Sequence, residues 1–119
     1  MMVSEEPDAA EIVRQRLQAD LRLAMKGRLA LEVAVLRVLI AAIDNAGAVA
    51  LSPTGAPRQS EVERRRLGFG DVQAILLREY ETRRRAASEL SRLGRVVESE
   101  RASLEMAVVS RYLSTSTPR

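Results

Sequence analysis

Leu29-Ala30-Leu31-Glu32-Val33-Ala34-Val35-Leu36-Arg37-Val38-Leu39-Ile40-Ala41-Ala42-Ile43-Asp44-Asn45-Ala46 is the stretch that decides the fold. Wound at about 3.6 residues per turn, it places Leu29, Val33, Leu36, Ile40 and Ile43 on one face. Leu31, Val35, Val38, Leu39 and Ala42 spread over much of the remainder. A helix apolar nearly all the way round is buried by neighbours on several sides. The leftover strip is Ala30, Ala34, Arg37, Ala41 and Asp44. It reads either as a solvent-facing strip of good helix formers or as a partner or self-association surface, where small residues let another helix approach closely. Glu32, Arg37 and Asp44 argue against a membrane span, because each is costly at bilayer depth.

Upstream, residues 1 to 7 read as a frayed arm, and Asp8 after Pro7 is the expected N-cap of a first helix running to Lys26. Val13, Leu17, Leu21 and Ala24 recur at helical spacing and give it one apolar stripe. Gly27 is the expected left-handed residue that stops it, with Lys26 favourably placed in the last turn. The short turn folds the central helix back on the first.

Downstream, residues 47 to 69 read as a long flexible loop centred on Ser52-Pro53-Thr54-Gly55-Ala56-Pro57. Arg64, Arg65 and Arg66 sit at its far end. There they form either a phosphate-holding cluster before a helix start or a solvated charge run flanked by Glu61 and Glu63. A third helix is expected from about Gly70 to Leu93, with Asp71 near its positive end. Val72, Ile75, Leu76, Tyr80, Ala87, Leu90 and Leu93 trace its stripe. Its charges suit pairs along the surface, Glu79 with Arg83 and Glu81 with Arg85. Gly94 ends it, and a fourth helix follows from about Val97 to Leu113, with Leu104, Val108 and Tyr112 along one side. Residues 114 to 119 read as a disordered tail. The expected fold is all-α: two helical hairpins forming a four-helix domain around a buried second helix.

Composition narrows the chemistry. At 119 residues the chain is one domain by length. The aromatic fraction of 3% with no Trp means an aliphatic core. The absence of Cys excludes disulfide and thiolate chemistry, and the absence of His removes the commonest general base and metal ligand. No glycine-rich phosphate cradle or metal-ligand spacing replaces them. The carboxylate pairs Glu5/Glu6, Glu61/Glu63 and Glu98/Glu100 lie among arginines rather than in an apolar setting. No catalytic residue, cofactor or metal is therefore expected. The net charge is +3, and 18 of the 19 basic residues are Arg, a bias that genome base composition accounts for as readily as phosphate binding. Charge is uneven, with a net of −3 over residues 1 to 20 and +6 over residues 21 to 119. An anionic partner would approach the latter part. The first twenty residues are too acidic for a signal peptide, which points to the cytoplasm.

Several ordered pieces of the chain carry a family resemblance. They are Asp20-Leu21, Ala24-Met25-Lys26, Leu36-Arg37, Ala41-Ala42-Ile43-Asp44-Asn45-Ala46, the basic run on the third helix, Gly94-Arg95 and Tyr112-Leu113. In this order and spacing they resemble the amino-terminal helical domain of the YqeY family of GatB-related proteins. The arginine-rich run after the long loop is similar to that of members from high-GC actinobacteria. The chain departs from the pattern at four places. Leu29 stands where an acidic residue is common, Gly68 where a Ser or Thr caps the third helix, Val96-Val97 where an acidic pair follows Gly-Arg, and Ser114 where a Pro leads onward. The resemblance implies a second, GatB-like domain after Leu113, and none is expected in residues 114 to 119.

The resemblance implies a non-catalytic binding module associated with glutamine-dependent tRNA amidation, a carbon-nitrogen ligase function. Its partner would be tRNA or an amidotransferase-type protein. Lys26, Arg64, Arg65, Arg66, Arg83, Arg84 and Arg85 are the candidate RNA contacts. The alternative is a self-associating or protein-interaction module with no role in tRNA amidation, using Ala30, Ala34, Arg37, Ala41 and Asp44.

Overall fold

Asp8 begins the first helix as its residue type requires: its Oδ1 accepts from the Ala10 N–H at 3.3 Å while its own backbone is extended. A computed structural model describes residues 8–49 and 67–113, and among them the elements are α1 (Ala9–Lys26), α2 (Ala30–Val49), α3 (Phe69–Arg92) and α4 (Val96–Ser110). No strand occurs among the described residues. The expected frayed arm, most of the expected loop and the expected tail lie outside them.

Both hairpin turns are Schellman turns, and one departs from expectation. After α3, Gly94 takes φ 78°, the Arg95 N–H reaches back to the Leu90 carbonyl at 2.9 Å, and the Gly94 N–H reaches Ser91 at 3.0 Å. After α1 the left-handed residue is not Gly27, whose φ is −84°, but Arg28 at φ 57°. The bonds fix this register. The Leu29 N–H meets the Ala24 carbonyl at 2.9 Å and the Arg28 N–H meets Met25 at 3.1 Å, so the position that must be left-handed falls one residue later.

The start of α3 shows how Gly68 serves without a capping side chain. Asp71 Oδ2 accepts from the Gly68 N–H at 2.9 Å, which is half of a capping box. At its far end α2 runs through Gly47 to Val49, beyond the expected stop at Ala46. A lone glycine lowers helix stability without ending the helix, and Gly47 is buried.

The helices form two hairpins, α1 with α2 and α3 with α4, and α2 touches each of the other three. The core joins Leu17 and Ala24 of α1, Val35, Leu36, Leu39 and Ile43 of α2, Val72 and Leu76 of α3, and Val108 and Val109 of α4. Leu67 and Tyr112 close it from outside the helices. The buried arc of α2 is narrower than its sequence implies. Leu29 and Val38 are exposed, because three partners leave an outer sector of α2 open. Leu93 and Leu104 are exposed as well. From Glu81 to Ala107 only Ala102 is buried, so this half of the α3–α4 hairpin is a two-helix ribbon without a third neighbour.

Candidate interaction surface

Every carboxylate of the described first hairpin is held. Asp8 caps α1, and Glu11 accepts from Gln15 at 3.1 Å. Asp20 Oδ2 accepts from the Tyr112 hydroxyl at 2.5 Å, and Glu32 Oε2 accepts from Arg111 at 2.6 Å. Asp44 receives both Nε and Nη2 of Arg14, at 2.8 and 3.3 Å. The hydrogen bonds to Asp44 and Glu32 push the Arg14 and Arg111 guanidiniums further toward the charged form. Arg16 lies 4.7 Å above the Tyr112 ring.

These ties leave the cations of the α1–α2 corner uncompensated. Arg22, Lys26, Arg28 and Arg37 are exposed, and none makes an ion pair among the described residues. The Arg37 guanidinium instead reaches the Met25 sulfur at 4.0 Å. Between Arg28 and Arg37 lies an open hollow of about 480 Å³, walled by Met25, Ala30, Val33 and Ala34. Leu23 and Leu29 stand exposed at the same corner.

The candidate RNA contacts do not assemble into one surface. Lys26 belongs to the corner. Arg64, Arg65 and Arg66 lie outside the described residues. Arg83 is largely withdrawn from solvent: its Nη1 meets Glu79 Oε1 at 2.8 Å and the Glu79 carbonyl at 3.0 Å. Its Nε lies 3.3 Å from Glu105 Oε1 across the hairpin, without a hydrogen-bonding angle. Arg84 pairs with Glu81 at 2.8 Å, replacing the expected Glu81–Arg85 pair. Arg85 is left exposed with no ion pair among the described residues. Successive helical residues point about 100° apart, so three arginines in a row never share a face.

Of the candidate partner strip, Ala30, Ala34, Arg37 and Ala41 are exposed, while Asp44 is taken up by Arg14. The residues missed from sequence are Arg22, Met25, Arg28 and Val33. The absence of any acidic residue from Leu21 to Leu31 was the available signal.

A second hollow, of about 550 Å³, opens between the end of α2 and the start of α3, lined in part by Asn45, Asp71, Arg78 and Glu79. Asp71 caps α3 and Glu79 holds Arg83. Among the described residues no three acidic side chains gather as a metal site. No helix among them is long and apolar enough to cross a membrane.

The class these features define is an all-α, two-hairpin protein whose described surface includes a cationic corner around an apolar hollow. Comparison with family models, curated proteins and solved structures finds no match to this chain.

Proposed function

We propose that this chain is a non-catalytic helical docking module that binds another protein, with an amidotransferase-type assembly in the cytoplasm as its setting. The observation that carries this reading is the α1–α2 corner, where open apolar side chains lie beside four cations that have no carboxylate partner among the described residues. The setting comes from the YqeY resemblance alone. Sedimentation of the chain with a purified tRNA-dependent amidotransferase tests it. Co-migration is expected, together with no glutamine-dependent product from the chain by itself. If the two sediment independently, the proposed setting is wrong.

A second reading, direct tRNA binding, is favoured by the same cations and by the exposed guanidinium of Arg85, which makes no ion pair among the described residues. Filter binding at low salt decides it, since phosphate contacts weaken steeply as salt rises. Self-association is the remaining reading. The exposed Leu93, Val96 and Val97 at the tip of the α3–α4 hairpin favour it, and a clean monomer in sedimentation would remove it.

A further inference from the structure

We infer that the partner segment seated on the α1–α2 corner is an acidic amphipathic helix, its apolar face in the hollow and its carboxylates on Arg28, Arg37, Lys26 and Arg22. This rests on the reading that the chain docks a protein, and it adds the surface and the chemistry of the occupant. Three observations carry it.

The first is charge. Four cations lie within about two turns on either side of the α1–α2 connection, and no acidic residue lies between Leu21 and Leu31. Asp20 and Glu32 flank that interval, but Tyr112 and Arg111 hold them. Among the described residues no carboxylate pairs with these four cations, so an incoming one displaces none of them.

The second is the wall of the hollow. Met25, Ala30, Val33 and Ala34 supply aliphatic and thioether surface, with no aromatic ring among them. Single-stranded RNA is gripped by stacking on rings, and phosphates gain nothing from an apolar floor. Aliphatic anchors do, and thioether-lined grooves are suited to accepting them. The hollow, of about 480 Å³, is open to an approaching apolar side chain.

The third is register. Arg28 and Arg37 both line the hollow, so a helix whose leucines enter it carries its flanking glutamates directly against guanidiniums. That arrangement joins apolar burial to charge complementarity, which sets orientation and encounter rate.

Fluorescence anisotropy with a labelled synthetic peptide tests the inference. The probe repeats leucine at i, i+3, i+4 and i+7 with glutamate elsewhere, and a scrambled peptide of the same composition is the control. The intact chain should bind the patterned peptide at least about tenfold more tightly than the scrambled one. The double variant Arg28→Glu/Arg37→Glu should lose about tenfold or more. A second variant, Ala34→Glu, places a charge in the hollow and should lose binding while the first hairpin keeps its melting profile. Equal affinity for patterned and scrambled peptides would overturn the proposal, leaving only non-specific charge attraction. Displacement of the peptide by tRNA at equal affinity would make the corner an RNA site and overturn it as well. If a purified amidotransferase co-sediments with wild type and double variant alike, the docking function stands and this surface is not where it occurs.

Discussion

The Tyr112 hydroxyl donates to Asp20 Oδ2 at 2.5 Å across 92 residues of chain, tying the segment after α4 to the middle of α1. Gln73 of α3 donates to the Tyr112 carbonyl at 3.3 Å, and Arg16 covers the ring. One residue thus fastens three elements. Replacing Tyr112 by Phe keeps the ring and strands the Asp20 carboxylate, and hydrogen bonds to charged groups are worth about 1.5 to 3 kcal/mol. The urea midpoint of Tyr112→Phe should fall accordingly. An unchanged midpoint would show that water replaces the phenol at no cost.

The same contact predicts an alkaline transition. Burial, then the Asp20 hydrogen bond, pushes the Tyr112 hydroxyl up to about 12. The fold favours the neutral phenol, so its contribution is complete below the unfolded tyrosine value of about 10. It is lost as pH climbs from there to about 12. Stability should therefore decline across that window in the wild-type chain and much less in Tyr112→Phe. Spectrophotometric titration should show the Tyr112 transition at about 12 disappear in the variant.

Arg28 occupies a left-handed position that costs a side-chain-bearing residue about 1 to 2 kcal/mol relative to glycine. Part of that returns through the freer unfolded chain of a glycine variant. Arg28→Gly should therefore stabilise the protein by about 0.5 to 1 kcal/mol in thermal melts. Gly94→Ala should do the opposite by about 1 kcal/mol, although a Cβ there meets no atom within 4 Å. A destabilised Arg28→Gly would mean that the guanidinium contributes more than the backbone strain removes.

Leu36 and Ile40 separate full from partial burial within α2. Leu36 is wholly enclosed, whereas Ile40 only borders the core. Both belong to the stripe that reads as buried from sequence, yet Leu36→Asp should abolish cooperative folding and Ile40→Asp should leave a weakened transition. Circular dichroism melts distinguish the outcomes. Two variants that melt alike would contradict this difference in burial.

How far the sequence reveals such distinctions depends on the kind of force involved. Helix existence follows from periodicity, so the apolar run from Leu29 to Ala46 locates the centre of the fold before any coordinate is known. The core nonetheless takes Val35 and Leu39 beside Leu36 and Ile43 rather than the whole face of Leu29, Val33, Leu36, Ile40 and Ile43. Which sector of an all-apolar helix stays open depends on how many helices surround it. Leu29 and Val38 therefore mislead. The left-handed turn residue moves from Gly27 to Arg28 because the Schellman bonds set the register and residue preference yields to them. The cationic corner was half legible: Lys26 and Arg37 stand out, but Arg22 and Arg28 acquire meaning only once Asp20 and Glu32 are seen to be engaged elsewhere. The arginine run shows the reverse. It is conspicuous in sequence, and folding turns its three members in different directions.

Arg83 and Arg85 make that last point testable. Arg83 sits between Glu79 and Glu105 with a side chain only 13% exposed, and it joins α3 to α4. Arg83→Glu would place three carboxylates together, with only the exposed Arg101, 3.6 Å from Glu105, to offset them. The expected loss is about 2 to 3 kcal/mol, below the fully buried limit because solvent still reaches the site. Arg85→Glu touches no ion pair among the described residues and should stay within about 0.5 kcal/mol of wild type. Urea denaturation of both variants should rank them in that order, with tRNA retention at low salt measured alongside. If Arg83→Glu were as stable as the parent yet failed to retain tRNA, the run would be a nucleic-acid face and not the clasp of the α3–α4 hairpin.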